Sequence, residues 1–205
     1  MARPQHLQVN PLPTTVLDRR DIIPLLIEKP EDFLCVGGLA GAAQELTAIS
    51  NDAPYVYAMA GAMGAATTLA LGLALAQPGK RVLCVTGDGE LLMNLGSLAT
   101  IALMNPPNLT IICVDNGHYG ETGNQDSHTG FGVDLATIAG GCGIPAVLTI
   151  NTMDDLPEGR RLVREGNGLA FILLRVKEGK PLNNGRLMQP AVGRTRFREH
   201  LLGHA

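Results

Sequence analysis

Two short motifs follow apolar segments and carry side chains that could bind a metal ion. Residues 81–86 (RVLCVT) are typical of a buried strand and run directly into Gly87-Asp88-Gly89. The next such segment, residues 109–114 (LTIICV), runs into Asp115 and Asn116. The glycines of the first motif allow backbone to approach a ligand closely, and a helix after them would direct its free N–H groups to the same point. That arrangement favours a phosphate group.

An aspartate beside a phosphate group repels it unless a cation lies between them. Mg²⁺ suits this position because it prefers oxygen ligands and is commonly shared between protein and phosphate oxygens. A Gly-Asp-Gly sequence alone is equally compatible with a structural turn whose aspartate caps a helix. Here 26 residues separate Gly89 from Asn116, which ends the next apolar segment. The pair therefore favours a metal site with Asp88 and Asn116 as ligands.

The rest of the sequence alternates strand-like and helical segments, which predicts an α/β fold: a doubly wound, largely parallel sheet with helices on both faces. Strands are predicted at 33–36, 55–57, 81–86, 109–114, 146–150 and 170–176. Helices are predicted at 14–28, 39–48, 62–77, 90–104, 134–140 and 153–166, with a polar loop at 116–132. The helix at 62–77 is apolar throughout, too short to cross a bilayer, and expected to be buried. Ligands of such folds bind at the carboxyl ends of the strands.

The length of 205 residues predicts one domain, at 14–176, with an N-terminal arm at 1–13 and a polar C-terminal tail at 177–205. The net charge of −3 gives no reason to expect nucleic acid or an anionic membrane as a partner. The sequence contains neither a membrane-spanning apolar run nor the apolar core of a signal peptide. A cytoplasmic location is therefore expected.

The four cysteines are too far apart to form a Cys-x-x-Cys motif for metal binding or redox chemistry. Cys35, Cys84 and Cys113 lie in apolar segments, so we predict that they are buried free thiols.

The sequence from residue 61 to residue 125, which contains both motifs, resembles the cofactor-binding signature of thiamine diphosphate-dependent enzymes. It looks closest to the sulfopyruvate and phosphonopyruvate decarboxylases, and the resemblance extends over roughly residues 32–176. The resemblance implies the thiamine diphosphate-binding fold, with this chain contributing the half that binds the diphosphate group. It implies thiamine diphosphate and Mg²⁺ as cofactors.

The resemblance also implies roles for individual residues. Asp88 and Asn116 match the two side-chain ligands of Mg²⁺, and the backbone carbonyl of His118 matches the third. The cofactor would contact residues of both motifs and of the segment before them, namely Met63, Gly87, Asp88, Gly89, Glu90, Leu91, Asn116, His118, Tyr119 and Gly120. Met63 matches the apolar residue that keeps the cofactor bent, and Tyr119 begins a loop, reaching to His128, that would close over the site.

Asp115 departs from the family pattern, which usually has asparagine at that position, and we expect it to make local hydrogen bonds. Glu90 is explained either as a catalytic acid or, more simply, by the helix dipole. The rings of His118 and His128 are candidates for catalysis. Glu121 and Gln125 would either meet the substrate or remain solvated.

The family's activating glutamate lies in a separate pyrimidine-binding domain, and only 60 residues precede Gly61. The resemblance therefore implies that a partner chain, a pyrimidine-binding α-type subunit, supplies this glutamate in an α₂β₂-like assembly. This chain would be the β-type subunit, and its own catalytic residues are unknown from sequence.

The expected reaction is decarboxylation of a 2-oxoacid such as 3-sulfopyruvate or 3-phosphonopyruvate, which releases CO₂ and an aldehyde. Three alternatives remain open at this point. The chain could be the thiamine-binding subunit of a 2-oxoacid:ferredoxin oxidoreductase, although the scattered cysteines argue against a form that carries an iron–sulfur cluster. It could also be an acetolactate-synthase-like carboligase or a non-catalytic assembly subunit.

Overall fold

A computed structural model of the chain describes residues 15, 17–59, 61–179 and 189–203. The arm predicted at 1–13 lies outside the described residues, as do residues 180–188 of the predicted tail.

The described residues contain eight strands, of which six form one parallel sheet and two form a short antiparallel hairpin. They are β1 (Leu34–Gly37), β2 (Val56–Ala58), β3 (Val82–Gly87), β4 (Leu109–Asp115), β5 (His118–Tyr119), β6 (Gln125–Asp126), β7 (Ala146–Ile150) and β8 (Ala170–Arg175). The order across the sheet is β2-β1-β3-β4-β8-β7. The chain moves outward from β1 to β2 and then returns to place β3 on the other side of β1. The carboxyl ends of β1 and β3 therefore form the switch point at which open α/β sheets bind ligands.

In the part of the chain that the structure describes, eight α-helices connect and cover these strands. They are α1 (Arg19–Ile27), α2 (Ala40–Ile49), α3 (Ala66–Ala76), α4 (Asp88–Leu92), α5 (Ser97–Met104), α6 (Leu135–Gly141), α7 (Leu156–Glu165) and α8 (Pro190–Leu202). Helices α1, α2 and α7 pack on one face of the sheet, whereas α3, α5, α6 and α8 pack on the other.

Successive residues of each central strand face opposite layers of the core. In β3, Val82 and Cys84 join the cluster beneath α3 and α5, while Leu83 and Val85 join the cluster beneath α1 and α2. A strand covered on both faces must be apolar at every position, which is why β3 and β4 appear in the sequence as unbroken apolar runs. The predicted fold class is confirmed.

The segment predicted as one helix at 90–104 consists of two helices. Helix α4 starts directly at Asp88, with Gly87 as its extended N-cap, so the helix begins two residues earlier than predicted. A turn at residues 93–96 then separates α4 from α5, and Gly96 precedes α5. Glycine is a poor helix former, which favours a break there.

The prediction for residues 62–77 was wrong in two respects. Helix α3 begins only at Ala66, because Gly64 has a φ of +86°, which is incompatible with a right-handed helix. The helix is also only half buried, and Leu75 is exposed. The sheet covers one side of α3 and leaves an apolar stripe on the other.

The predicted tail contains a helix that the sequence analysis missed. Helix α8 packs beside β2, where the ring of Phe197 lies 5.9 Å from the ring of Tyr57 between centroids. Arg196 adds an ion pair to Asp52 at 2.9 Å. Residues 190–202 therefore pack against the domain. The domain boundaries predicted at residues 14 and 176 stay predictions.

Cys35, Cys84 and Cys113 are buried free thiols, as expected. Burial raises the pKa of each of these thiols, which keeps them protonated and unreactive near neutral pH. None of the helices in the described part of the chain is long and apolar enough to span a membrane.

Candidate cofactor site

Strand register brings the two sequence motifs together. Gly87 at the end of β3 lies beside Val114 in β4, so Asp88 and the pair Asp115 and Asn116 leave the sheet at the same edge. Asp88 is the first residue of α4 and is only 2% exposed. A carboxylate that is held this deeply needs hydrogen bonds or a cation to offset its lost hydration.

Two hydroxyl groups from the loop after the hairpin contact the Asp88 carboxylate. Ser127 Oγ lies 2.5 Å from Asp88 Oδ2, and Thr129 Oγ1 lies 2.9 Å from the same oxygen. Thr129 Oγ1 also lies 2.6 Å from Asp115 Oδ1. Asp115 further accepts a hydrogen bond from Gly117 N–H, and it faces Arg175 at 3.7 Å. It thus makes the local hydrogen bonds expected of it.

Burial and the neighbouring Asp115 carboxylate raise the pKa of Asp88 to about 6, although the hydroxyls of Ser127 and Thr129 act in the opposite direction. Burial likewise raises the pKa of Asp115, against the lowering effects of Thr129 and Arg175. Two buried carboxylates therefore share a region that lacks sufficient positive charge. A divalent cation at Asp88 would reverse this imbalance.

Asn116 and His118 form a tight turn at the start of the hairpin. Asn116 Oδ1 accepts a hydrogen bond from His118 N–H at 3.2 Å. The His118 ring is engaged on both sides, with Nδ1 2.7 Å from the Asn116 carbonyl oxygen and Nε2 3.3 Å from Asp126. The ring thus stabilises the hairpin, and its predicted catalytic role gains no support from this geometry.

The available ligands fit a hard cation. They are one carboxylate at Asp88, one amide oxygen at Asn116 and the backbone carbonyl of His118, all of which are oxygen ligands of the kind that Mg²⁺ prefers. Among the described residues no group of three or more His, Cys, Asp or Glu side chains could hold a metal ion. A Mg²⁺ site here would therefore depend on amide and carbonyl oxygens and on ligands from the cofactor itself.

A cleft of about 670 Å³ opens over these residues. It is large enough for a cofactor-sized molecule. Its described lining residues come from the ends of β1, β3 and β4, the hairpin and α1, and include Arg19, Leu39, Ala40, Gly61, Met63, Gly87, Asp88, Gly89, Glu90, Asn116, His118, Tyr119, Gly120, Glu121 and Glu178. The Tyr119 ring lies directly against Gly89, where an added Cβ would come within 2.5 Å of a ring carbon. Met63 is 45% exposed at the edge of the cleft.

Glu90 has a positional role that the sequence analysis did not predict. Its carboxylate turns inward, where Oε2 accepts hydrogen bonds from Leu39 N–H and Thr86 Oγ1, each at 2.9 Å. Gly38 is required beside it, because an added Cβ there would lie 1.8 Å from Oε2. Glu90 therefore joins the turn after β1 to the end of β3 across the switch point. Burial raises the pKa of its carboxyl group.

Arg19 is a further residue that the sequence analysis missed. It is 8% exposed, lines the cleft and donates a hydrogen bond to the Gly179 carbonyl. Among the described residues that line the cleft, it is the only arginine or lysine. Nothing in the local sequence marks it, since it reads as an ordinary charged residue at the start of a helix.

The structure gathers nine of the ten predicted cofactor residues around the cleft. Leu91 is the exception, since its side chain is buried in the core beneath α3 and α5. His128 is exposed and is not among the described residues that line the cleft, whereas Glu121 lines it. Gln125 is exposed and pairs with Thr122. The functional roles of all these residues stay predictions.

Fold and site together define a domain that holds an anionic cofactor at the switch point of a parallel sheet. Residues 36–173 match the family described as "Thiamine pyrophosphate enzyme, C-terminal TPP binding domain". The chain belongs to this family.

Individual relatives agree with this assignment. The chain is 36% identical to "Sulfopyruvate decarboxylase subunit beta" of Methanocaldococcus jannaschii, over 88% of this chain and 95% of that subunit. It is 35% identical to "Phosphonopyruvate decarboxylase" of Streptomyces viridochromogenes, over 96% of this chain but 48% of that protein. The chain thus spans about half the length of this second relative. Relatives from the rival oxidoreductase and carboligase classes match only about half of this chain.

A solved structure shows the same fold. An X-ray structure of a thiamin diphosphate-dependent enzyme from Mycobacterium smegmatis superimposes with a TM-score of 0.64 at 20% identity. The match covers 80% of this chain and 32% of that one.

Proposed function

We propose that this chain is the β-type, cofactor-binding subunit of a thiamine diphosphate-dependent decarboxylase that acts on 3-sulfopyruvate or 3-phosphonopyruvate. The observation that carries the proposal is the meeting of Asp88, Asn116 and His118 at the switch point. Similarity to a sulfopyruvate decarboxylase β subunit over 95% of its length supports the substrate class.

We assign Asp88, Asn116 and the His118 carbonyl to Mg²⁺, which would hold the diphosphate group of the cofactor. The N–H groups at the start of α4 face the same point and suit an anion. Met63 lies where it could support the cofactor, and Tyr119 could cover it. When bound, thiamine diphosphate supplies the electron sink that lets CO₂ leave a 2-oxoacid. The contribution of this chain is to bind and orient that cofactor and to exclude water.

A partner subunit is supported by an exposed apolar surface on α3 and α5, two helices that contact each other on one face of the sheet. Neither helix contains a charged residue. Leu103 is 84% exposed, and Leu75, Met93 and Met104 are also exposed. Contiguous apolar patches of this kind mark interaction sites. We propose that a pyrimidine-binding α-type subunit covers this surface and supplies the activating glutamate, in a heterotetramer.

Leu103→Asp tests the proposed partner surface. We expect the variant to fold with a stability within about 0.5 kcal/mol of the unsubstituted chain, because the side chain is already exposed. It should fail to form the complex with its partner in size-exclusion chromatography. Leu25→Asp is the matched control, since Leu25 is an exposed leucine on α1, on the opposite face of the sheet. If Leu103→Asp assembles normally, the proposed surface is wrong.

Arg19 supplies positive charge where the proposed substrates need it. Both substrates carry a sulfonate or phosphonate group in addition to the carboxylate. We expect Arg19→Gln to raise the KM for 3-sulfopyruvate by about tenfold or more, because a charge-assisted hydrogen bond is worth roughly 1.5–3 kcal/mol. The KM for pyruvate should change less. Arg20→Gln, at the exposed neighbouring arginine, should change neither value.

The decisive experiment measures CO₂ release from 3-sulfopyruvate, 3-phosphonopyruvate and pyruvate in the presence of Mg²⁺ and thiamine diphosphate. The chain is assayed alone and after co-expression with the product of the neighbouring reading frame. Activity that appears only in the complex supports the split decarboxylase and ranks the substrates. Activity of the chain alone contradicts the need for a partner glutamate. Cofactor binding without decarboxylation in either case favours an oxidoreductase or a carboligase.

A cytoplasmic location stays a prediction from the sequence.

A further inference from the structure

The loop that follows the hairpin contributes two hydroxyl groups to the buried end of the cleft. Ser127 and Thr129 are both fully buried, whereas His128 between them is exposed. Neither residue has a role in the proposed function, and neither belongs to the two motifs. Their burial inside an otherwise polar, exposed loop requires an explanation.

Both hydroxyls contact the same oxygen of Asp88. Ser127 and Thr129 lie 2.5 Å and 2.9 Å from Oδ2, whereas neither hydroxyl contacts Oδ1. Ser127 Oγ also lies 2.8 Å from Thr129 Oγ1. A carboxylate with one oxygen in contact with two hydroxyls cannot rotate freely, so the orientation of its second oxygen is fixed.

The two hydroxyls have fewer protons than contacts. Four short oxygen–oxygen contacts link Ser127, Thr129, Asp88 and Asp115, but each hydroxyl can donate only one hydrogen. With Ser127 donating to Asp88 and Thr129 donating to Asp115, the remaining two contacts bring electron-rich oxygens together. A cation at Oδ1 would reduce the negative charge on Oδ2 and so weaken the repulsion between Oδ2 and Thr129 Oγ1.

The same loop anchors the hairpin that carries the other site residues. Ser127 N–H donates to the Gly117 carbonyl at 2.8 Å. Gly130 packs so closely on Gly117 that an added Cβ would lie 2.8 Å from its carbonyl oxygen. The contacts of Ser127 and Thr129 with Asp88 and Asp115 therefore tie the base of the hairpin, with His118 and Tyr119 on it, to the proposed metal ligand.

We propose that Ser127 and Thr129 are positioning residues that direct Oδ1 of Asp88 toward Mg²⁺. Through them, metal binding is coupled to the position of the hairpin on the domain. This inference rests on the proposed function for the identity of the metal. Groups that orient metal ligands typically change metal affinity by 10–100-fold when they are removed. Loss of either hydroxyl should therefore weaken Mg²⁺ binding by at least about tenfold.

The test is isothermal titration of Mg²⁺ into the full chain in the presence of thiamine diphosphate. We expect Ser127→Ala and Thr129→Val each to raise the Kd for Mg²⁺ about tenfold, whereas Thr129→Ser, which keeps the hydroxyl, should stay close to the unsubstituted chain. Amide hydrogen exchange of residues 117–126 should accelerate in the two hydroxyl-free variants. This second measurement needs no metal.

Thr67→Val is the matched control, because Thr67 is buried and its hydroxyl makes a 3.0 Å hydrogen bond to Ser97 between α3 and α5. This variant should lose stability without losing Mg²⁺ affinity. Unchanged Mg²⁺ affinity in both Ser127→Ala and Thr129→Val, or an equal loss in Thr67→Val, would overturn the positioning role alone. If the unsubstituted chain binds Mg²⁺ neither alone nor in the complex with its partner subunit, the metal assignment and the proposed function fail with it.

Discussion

Replacing Asp88 with asparagine should make the metal-free chain more stable while it abolishes cofactor binding. Burial and Asp115 raise the pKa of Asp88 from 3.8 to about 6. A carboxyl group with a raised pKa contributes stability that is fully present below the unfolded pKa and is lost as the pH rises through the folded pKa. At pH 8 the charged carboxylate therefore destabilises the fold.

The size of the effect follows from that shift. Each pKa unit corresponds to 1.36 kcal/mol, so a shift of about two units gives roughly 3 kcal/mol at pH 8. Asparagine keeps an oxygen that can accept hydrogen bonds from Ser127 and Thr129, and it removes the charge. We expect Asp88→Asn to gain about 1–3 kcal/mol in the free energy of unfolding, because its amide nitrogen also needs a partner in this buried position.

Urea unfolding in the presence of EDTA, at several pH values between 4 and 8, measures this gain. The difference between the two proteins should be largest at pH 8 and should shrink toward pH 4, where Asp88 of the unsubstituted chain is protonated. The exposed Asp154→Asn serves as control and should change stability by less than about 0.5 kcal/mol at any pH. A variant that is no more stable at pH 8, or a gain that is independent of pH, would refute the reasoning.

Addition of Mg²⁺ and thiamine diphosphate should reverse the order of stability. A ligand at 100 times its Kd stabilises a protein by about 2.7 kcal/mol. The unsubstituted chain should gain that stabilisation, whereas Asp88→Asn should gain none, because an amide is a weak Mg²⁺ ligand in place of a carboxylate.

Two further predictions concern close packing. Gly89→Ala should weaken thiamine diphosphate binding by at least about tenfold in calorimetry, because its Cβ would displace the Tyr119 ring and fill the space beside α4. Gly72→Ala is the control and should leave the affinity unchanged, since its Cβ meets nothing within 4 Å. If Gly89→Ala binds the cofactor as tightly as Gly72→Ala does, the role of Gly89 is wrong. Phe197→Ala should lower the free energy of unfolding by about 2–4 kcal/mol in urea, because the buried ring packs α8 beside Tyr57. An unchanged urea midpoint of unfolding would show that α8 does not unfold cooperatively with the rest of the domain.

The sequence alone was sufficient for the fold class and for the two motifs that meet at the switch point. Strands that are covered on both faces must be apolar throughout, so their ends can be located without a structure. Asp88 and Asn116 are recognisable because each follows such an end, and parallel strands bring their carboxyl ends to one edge of the sheet. The resemblance to thiamine diphosphate enzymes then rested on those positions, and the family assignment confirmed it.

The helices were less well predicted, because their limits depend on single backbone conformations and on contacts made elsewhere. Gly64 at a φ of +86° delays the start of α3, and Gly96 helps to separate α4 from α5. The apolar composition of α3 predicted burial, but one sheet face can cover only one side of a helix. Phe197 docks α8 on β2 through a contact between residues that are 140 positions apart, and a polar sequence gives no sign of it.

Only the tertiary structure revealed the roles of side chains whose partners are distant in the sequence. Arg19, Ser127 and Thr129 lie in segments whose sequence is ordinary for a helix start and a polar loop, and Glu90 accepts a hydrogen bond from Leu39 N–H, 51 positions away. Their roles arise from the order β2-β1-β3-β4-β8-β7, which places the ends of β1, β3 and β4 side by side. Local sequence determines where a strand ends, because that depends on neighbouring residues and on burial. Which strand ends become neighbours depends on the packing of the whole chain, and so do the residues that complete the site between them.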